Sequence, residues 1–231
     1  MATQKRRWLR WVWGTCVTLL LLPAAITLIF AVVPVPLTPL MLIRSFEGAG
    51  IRKQWVPLDQ ISIDLQRSVV ASEDMGFCKH YGFDQAALEK AWESYEQGGK
   101  LRGGSTITMQ TAKNVFLWPD RTFVRKGLEA WLTLYIETLW SKQRTLEVYL
   151  NIVEWGSGVY GAEAAAQFHF GKSAAALSSK EAALLATVLP NPRRMSASKP
   201  GPYVRTQAET VEYRAARLGE YGDCLPKPKK P

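Results

Sequence analysis

Two glutamates, Glu73 and Glu129, stand on either side of a glycine-rich segment and several cations. The segment is Gly103-Gly104-Ser105, and the cations are Lys113, Arg125 and Lys126. A phosphate or diphosphate leaving group departs already charged, so it needs cations and N–H donors and no general acid. A hydroxyl nucleophile needs a general base, which a glutamate with a raised pKa can supply. These residues therefore predict group transfer from a phosphorylated donor.

A second chemistry and an ordinary structural explanation stay open at this point. Two carboxylates also suit a glycan-cleaving hydrolase of the lysozyme type, with Glu73 as a raised-pKa acid and the cations incidental. Gly-Gly-Ser is a common start of a capped helix, and an Arg125/Glu129 pair at i and i+4 is usually a solvated salt bridge. The number of cations favours transfer.

Helical periodicity predicts how Glu73 is positioned. Ile61, Leu65 and Val69 recur at i+4, which predicts a helix over 59–72 with Asp59 as its N-cap. Glu73 would then lie at the negative end of the helix dipole, which raises the pKa of a carboxyl group. A raised pKa suits a general base.

The other helices follow from caps and apolar runs. Ser105 is expected to cap a helix that runs towards Asn114, whose first free N–H groups suit an anion. Further helices are predicted at 85–95 after the N-cap Asp84, at 122–140, at 142–151, in the alanine-rich run ending at Gly171, after the capping box Ser178-x-x-Glu181, and at 205–218. Alternating strand patterns are scarce, so the predicted fold class is mainly α.

Composition excludes several classes of protein. With 47% hydrophobic and 21% charged residues among 231, the chain can bury a core and is not a disordered sequence. Its net charge of +9 is compatible with nucleic acid or anionic lipid, but zinc-finger, RNP-like and basic-heptad patterns are lacking, so no nucleic-acid partner is expected.

Cysteines and histidines are few. Two histidines and no C-x-x-C pair argue against a metal site, so none is predicted. Cys78 and Cys224 would form a disulfide only in an oxidising compartment; spacing alone cannot pair them, and two unrelated thiols are the favoured interpretation.

The N-terminal region predicts a membrane anchor. Four cations within the first ten residues precede an apolar run at 12–33, which is long enough as a helix to cross a bilayer and longer than a signal-peptide core. The charge asymmetry puts the N-terminus in the cytoplasm. We therefore divide the chain into a cytoplasmic basic segment (1–11), an anchor (12–33), a juxtamembrane connector (34–54), a main domain (55–220) and a basic, proline-rich tail (221–231).

Five segments in order resemble the motifs of the peptidoglycan glycosyltransferase family, closest to its monofunctional biosynthetic transglycosylases. They are EDMGFCKHYG at 73–82, GGSTITMQTAKN at 103–114, RKGLE at 125–129, KQRTLEVYLN at 142–151 and the 158–172 segment that ends in FGK. Several long motifs in one order are far more specific than any single pattern. Met109 and Thr145 depart from the usual Gln and Ile, which affects fine substrate contacts only.

The resemblance implies a lysozyme-like glycosyltransferase fold and polymerisation of lipid II by inverting transfer, with release of undecaprenyl diphosphate. Glu73 matches the family's catalytic base, which takes the proton of the acceptor's 4-hydroxyl, and Glu129 matches the second catalytic carboxylate. The substrate- and diphosphate-binding positions are Lys113, Arg125, Lys126, Gln110, Asn114, Ser105 and Thr106. Asp74, Phe77 and His80 support the first motif, with His80 interpreted as structural.

The resemblance also implies partners and a location. Lipid II, the growing lipid-linked chain and the membrane are the expected partners, together with other cell-wall synthesis proteins. No cofactor is required, although a divalent cation could assist the diphosphate. The expected location is the bacterial inner membrane, crossed once, with the catalytic domain in the periplasm. The competing hypotheses are the hydrolase and an inactive membrane scaffold, against which the intact Glu73 and Glu129 argue.

Overall fold

The computed structural model describes residues 2–98, 104–120 and 122–226, so Gly103 and the last five residues of the predicted tail lie outside the described residues. Within these ranges the fold is mainly helical, as predicted. The α-helices are α1 (Ala2–Phe30), α2 (Pro39–Phe46), α3 (Ile63–Glu73), α4 (Gln85–Glu96), α5 (Ile107–Phe116), α6 (Phe123–Leu139), α7 (Lys142–Ile152), α8 (Ala162–Phe170), α9 (Ser179–Val188) and α10 (Pro202–Ala216).

A small sheet joins the connector to the main domain. It contains β1 (Arg52–Lys53), β2 (Glu154–Gly156) and β3 (Val159–Tyr160) in the order β1-β3-β2. β1 pairs in parallel with β3, and β2 pairs antiparallel with β3. Gly158, in the turn before β3, has a positive φ, and a Cβ there would lie 2.1 Å from the Ala49 carbonyl oxygen. Glycine therefore allows the connector to approach this turn closely.

Helix α1 contains a segment able to span a membrane. Arg10–Phe30 has 21 residues, a mean hydropathy of 2.1 in its most apolar part and only 6% of that part buried within the protein. Pro23 does not interrupt the helix, and the Thr27 hydroxyl donates to the Pro23 carbonyl at 2.7 Å. The helix ends at Phe30, before the predicted limit at residue 33, because the residue that precedes Pro34 is disfavoured in a helix.

The C-terminal half of α1 is fixed to α6 and α7. The indole of Trp140 donates to the Thr27 carbonyl at 2.7 Å, and the Tyr135 hydroxyl donates to the Leu20 carbonyl at 3.2 Å. The Arg144 guanidinium donates to the carbonyls of Phe30 and Val33 at 2.9 and 2.7 Å. Because Leu20 lies within the apolar span, the Tyr135 side of α6 lies alongside the anchor.

Two predicted caps are wrong, and in each case a neighbouring hydroxyl caps the helix instead. Asp59 lies in a 3₁₀ turn (Leu58–Gln60), while Ser62 caps α3 by accepting from the Asp64 amide. Thr106, one residue after the predicted Ser105, caps α5 by accepting from the Met109 amide. The predicted N-cap Asp84 and the capping box at Ser178 are confirmed.

Two apolar clusters support the site from opposite sides. The larger cluster joins α3, α7, α8, α9 and α10 and contains fully buried Tyr149 and Trp155. The smaller cluster joins α2, α5, α6 and α7 and includes Met41, Ile136 and Trp140. Helix α5 contributes to both clusters, so its polar residues are held between them.

The interpretation of Cys78 and Cys224 as unrelated thiols is wrong. The two residues form a disulfide with a Cα–Cα distance of 5.4 Å. Cys78 lies in the loop after α3, and Cys224 follows α10, which packs on α3 and so returns the chain to this loop. The bond ties the C-terminal region to the segment that contains Phe77 and His80.

We predict that replacing both Cys78 and Cys224 with Ser lowers the free energy of unfolding by roughly 2–4 kcal/mol, because the unfolded chain regains the freedom of a long loop. Denaturant unfolding of the non-reduced protein in detergent, followed by tryptophan fluorescence, measures the change. Cys16→Ser, which removes the free and exposed thiol, should match the wild type. Equal stability of all three proteins would contradict the prediction.

Candidate active site

Glu73 is the last residue of α3, and its carboxylate is held by α5. The Gln110 side-chain amide donates to Glu73 Oε2 at 2.9 Å, and the Tyr149 hydroxyl donates to Gln110 Oε1 at 3.1 Å. Because Tyr149 donates to the amide oxygen, the amide nitrogen is directed at Glu73. This relay fixes the carboxylate as a hydrogen-bond acceptor.

The pKa of Glu73 is raised above its ordinary value of 4.5, as predicted, but the main cause differs from the expected helix dipole. Burial of the carboxyl group is the largest cause, and the neighbouring charge of Asp74 adds to it. The hydrogen bond from Gln110 and the charge of Lys113 act in the opposite direction. The balance leaves a carboxyl group with increased affinity for a proton.

Glu129 on α6 has a different environment. It is 2% exposed, and Arg125 Nη1 donates to its Oε2 at 2.7 Å while Lys126 Nζ donates to its Oε1 at 2.5 Å. Lys126 Nζ also donates to Ser105 Oγ at 2.9 Å. The Arg125–Glu129 pair is therefore buried and is not the solvated salt bridge of the ordinary explanation.

Lys113 lies on α5, where the charges of both Glu73 and Glu129 act on its ammonium group. Burial lowers the pKa of Lys113, the charges of Glu129 and Glu73 raise it, and those of Arg125 and Lys126 lower it. Within the part of the chain that the structure describes, Lys113 makes no side-chain hydrogen bond or ion pair. Its ammonium group can therefore bind an anion without breaking a protein contact.

Five of the seven predicted binding residues line one of two cavities, and Gln110 and Lys126 line neither. One, of about 490 Å³, is lined by Glu73, Ser105 and Thr106, although the Thr106 hydroxyl is already used to donate to the Gly82 carbonyl and to cap α5. The other, of about 450 Å³, is lined by Lys113, Asn114 and Arg125. Gln110 contacts Glu73 directly.

Asp74, Phe77 and His80 lie in the segment after Glu73 and help to hold it in place. Asp74 Oδ2 accepts from the Ile107 amide at 2.9 Å, and its Oδ1 lies 2.8 Å from His80 Nε2. Phe77 is fully buried. Asp74 thus ties the residue after Glu73 to the first turn of α5, which carries Gln110 and Lys113 further along.

In the described part of the chain, one group of side chains has potential ligand atoms close enough together for a metal ion. Atoms of Asp74, His80 and Asp84 lie within 4.8 Å of one another. Asp74 already binds the Ile107 amide and His80, and Asp84 accepts from the Ala87 amide as the cap of α4. These hydrogen bonds account for the grouping without an ion.

Sequence reasoning missed several charged residues that line these cavities. Arg214 of α10 lines the cavity of Glu73, while Arg44 of α2 and Glu154 of β2 line the cavity of Lys113. Arg44 lies in a segment interpreted only as a connector, and Glu154 lies in a short strand. Neither belongs to a local pattern that would indicate a site.

Comparison with known proteins identifies the class to which this fold and site belong. Residues 41–216 match the family model described as Transglycosylase. The chain therefore belongs to the transglycosylase family, and the resemblance in the motifs is confirmed, together with the prediction of a glycosyltransferase enzyme.

Individual relatives cover most of the chain. A protein of Rhodospirillum centenum is 58% identical over 199 residues, which are 86% of this chain and 86% of that protein. A protein of Caulobacter vibrioides is 52% identical over 205 residues, 88% of this chain and 90% of that protein. A protein of Pseudomonas fluorescens is 51% identical over 203 residues, 85% of each. All three are named biosynthetic peptidoglycan transglycosylase.

We predict that Asp74→Ala lowers the free energy of unfolding by about 1–3 kcal/mol, because the buried Ile107 amide loses its acceptor. Asp74→Asn retains one acceptor oxygen and should lose less. Denaturant unfolding in detergent measures both, with exposed Asp59→Ala as the control. An Asp74→Ala protein as stable as this control would show that the bond does not hold α3 to α5.

Proposed function

We propose that this protein polymerises lipid II into linear peptidoglycan glycan chains by inverting glycosyl transfer and releases undecaprenyl diphosphate. The observation that carries the proposal is the contrast between two carboxylates of one site. Glu73 has a raised pKa and a single hydrogen-bond donor on one oxygen, whereas each oxygen of Glu129 accepts from a cation. Environments that separate two carboxylates in this way assign them different roles. The names of the relatives agree with this activity.

In the proposed reaction Glu73 removes the proton from the acceptor's 4-hydroxyl. The acceptor oxygen forms a bond to the anomeric carbon of the donor, and the bond from that carbon to the diphosphate oxygen breaks with its electron pair. One displacement inverts the configuration at this carbon. Glu73 then returns its proton to solvent, and the diphosphate leaves as an anion.

The leaving diphosphate is stabilised by cations that the fold has already fixed. Lys113 and Arg125 are the proposed direct contacts, and Lys126 together with Ser105 extends the donor side of the site. Preorganised charges of this kind stabilise developing negative charge without reorganising during the reaction. The step needs no cofactor, and a divalent cation would add to the same stabilisation.

Glu129 is proposed to hold the cations in place beside the donor sugar. Both of its oxygens accept from cations, so it is a poor candidate for proton transfer in this arrangement. Gln110 keeps Glu73 aimed, and Asn114 offers a polar side chain next to Lys113.

The alternatives fit these contacts less well. A hydrolase of the lysozyme type needs a second carboxylate free to act as a nucleophile or as a base on water, and Glu129 is bound by two cations. An inactive scaffold needs neither a buried carboxylate nor a raised pKa at Glu73. Both observations favour the polymerase.

We further propose that the protein crosses the bacterial inner membrane once through α1, with its N-terminus in the cytoplasm and its catalytic domain in the periplasm. The apolar Arg10–Phe30 segment and the disulfide agree with this arrangement. Lipid II and the growing lipid-linked chain would reach the site from the membrane, and other cell-wall synthesis proteins are the expected partners.

We predict that Glu73→Gln abolishes polymerisation of labelled lipid II, with a loss of at least about 10²-fold, because the amide cannot accept the proton. The assay uses detergent-solubilised protein and resolves a muramidase-sensitive ladder on a gel. Exposed Glu209→Gln is the matched control and should retain wild-type activity. A ladder from Glu73→Gln would remove Glu73 as the base, and cleavage of purified cell wall without lipid II polymerisation would support the hydrolase instead.

The rate should also report the pKa of Glu73. Its base form is required, so kcat/KM rises as the pH increases through a pKa above 4.5. The Gln110 hydrogen bond favours the charged carboxylate and lowers this pKa, so Gln110→Leu should raise it and move the acidic limb of the profile to higher pH. Exposed Gln143→Leu should leave the limb unchanged. A shift to lower pH, or none, would contradict the assignment of Glu73.

A further inference from the structure

The cavity of Lys113 is bounded by the juxtamembrane helix as well as by the predicted site. It lies between α2, α5, the start of α6 and β2. Its basic residues are Lys113, Arg125 and Arg44, and its acidic residues are Glu154 and Asp120. Arg44, in the last turn of α2, is therefore a third cation in a cavity to which sequence reasoning assigned two.

Several buried polar atoms of this cavity's residues have no hydrogen-bond partner within the described part of the chain. They are Arg44 Nε, Arg125 Nε and Glu154 Oε1. Arg125 and Glu154 are each 7% exposed. Buried polar atoms nearly always have a partner, so these three show that the protein itself leaves part of the polar capacity of the cavity's residues unused. Two of the three are N–H donors on guanidinium groups, which favours an anion.

Arg44 is oriented by carboxylates on either side. Its Nη1 donates to Glu47 Oε2 at 2.6 Å, and Glu154 interacts with it electrostatically across the cavity. Glu47 does not line the cavity. The Arg44 guanidinium thus has one nitrogen engaged outside the cavity and its Nε without a partner.

The position of α2 indicates which anion reaches the cavity. The helix begins nine residues after α1 ends (Phe30 to Pro39), and its Leu42 and Phe46 are exposed, Phe46 by 92%. Leu40 and the partly exposed Trp118 supply apolar surface to the cavity wall. A cationic interior with an apolar wall next to a membrane anchor suits a phosphate group attached to an apolar chain.

We propose that Arg44 binds the diphosphate of the lipid-linked donor, as a third cation with Lys113 and Arg125. The inference rests on the proposed function and extends it, because it makes the juxtamembrane helix part of the donor site. Arg44 on α2 and Arg125 on α6 would both supply N–H donors, and the Lys113 ammonium would complete the contact. A planar guanidinium can donate two parallel hydrogen bonds to phosphate oxygens, which an ammonium cannot.

The test is Arg44→Gln, with binding and turnover measured separately. Binding of a fluorescent polyprenyl diphosphate to the full-length protein in neutral detergent should weaken about tenfold or more, the effect of losing a charge-assisted hydrogen bond. KM for lipid II should rise by a similar factor, with a smaller change in kcat. Arg44→Lys retains the charge but loses the fork, so it should restore binding in part.

Glu47→Gln separates substrate binding from a structural ion pair. It removes the charge of the Arg44–Glu47 ion pair but no cavity residue. We therefore expect binding within about twofold of wild type, a much smaller change than the tenfold expected for Arg44→Gln. Equal defects in Glu47→Gln and Arg44→Gln would overturn the proposal, as would unchanged binding in Arg44→Gln.

The source of the phosphate is tested by competition. Polyprenyl diphosphate should displace the probe from wild type, whereas phosphatidylglycerol at the same micellar fraction should not. Displacement by phosphatidylglycerol alone would identify a phospholipid headgroup site and overturn the assignment. A wild-type protein that binds the probe through Arg44 but forms no polymer would overturn the proposed function while supporting this binding site.

Discussion

The proposed donor site depends on one buried carboxylate, that of Glu129. A charge taken out of water costs several kcal/mol unless it is paired and hydrogen-bonded, and Glu129 has a cation on each oxygen. Satisfying it fixes Arg125 and Lys126 on one face of α6, and Lys126 in turn reaches Ser105. Lys126 therefore connects the 125–129 motif to the 103–114 motif, because it neutralises Glu129 and also donates to Ser105. A ligand that binds these cations meets groups already in position.

Unlike Glu129, the buried carboxylate of Glu73 has no hydrogen bond from a cation among the described residues. Among the described residues its carboxylate accepts a hydrogen bond only from Gln110, and this bond does not offset burial, so the pKa stays raised. The supporting bonds go to its neighbour Asp74, which holds the start of α5. The contacts of Glu73 thus offset only part of the cost of burying its charge. A carboxylate in this environment contributes little to the stability of the fold, but it binds a proton more readily than an exposed one.

Local signals predicted more than distant ones. The N-cap Asp84 and the capping box at Ser178 could be predicted because each depends on residues within one helical turn. The prediction of Asp59 as the N-cap was wrong because Ser62, three residues later, is also a good capping residue and directly precedes α3. The Cys78–Cys224 disulfide could not be derived from spacing, since it depends on α10 packing against α3. Arg44 and Glu154 could not be predicted as cavity residues for the same reason, because only the fold brings the connector close to β2. The motif residues were found through family resemblance, and local physics alone would not have grouped them.

Helix α6 links the anchor to the chemistry. Its N-terminal turns carry the Arg125–Glu129 pair, while Tyr135 and Trp140 further along contact the anchor helix through Leu20 and Thr27. Helix α2 approaches the same cavity from the connector. In the proposed arrangement α1 crosses the bilayer, and because α6 is one continuous helix, the depth of α1 would set the height of the proposed donor cations above the membrane. A lipid-linked substrate has the same constraint, because its apolar chain fixes its diphosphate at the membrane surface. Because α6 carries the Arg125–Glu129 pair and also contacts α1, it can hold the cations at the height where that diphosphate lies.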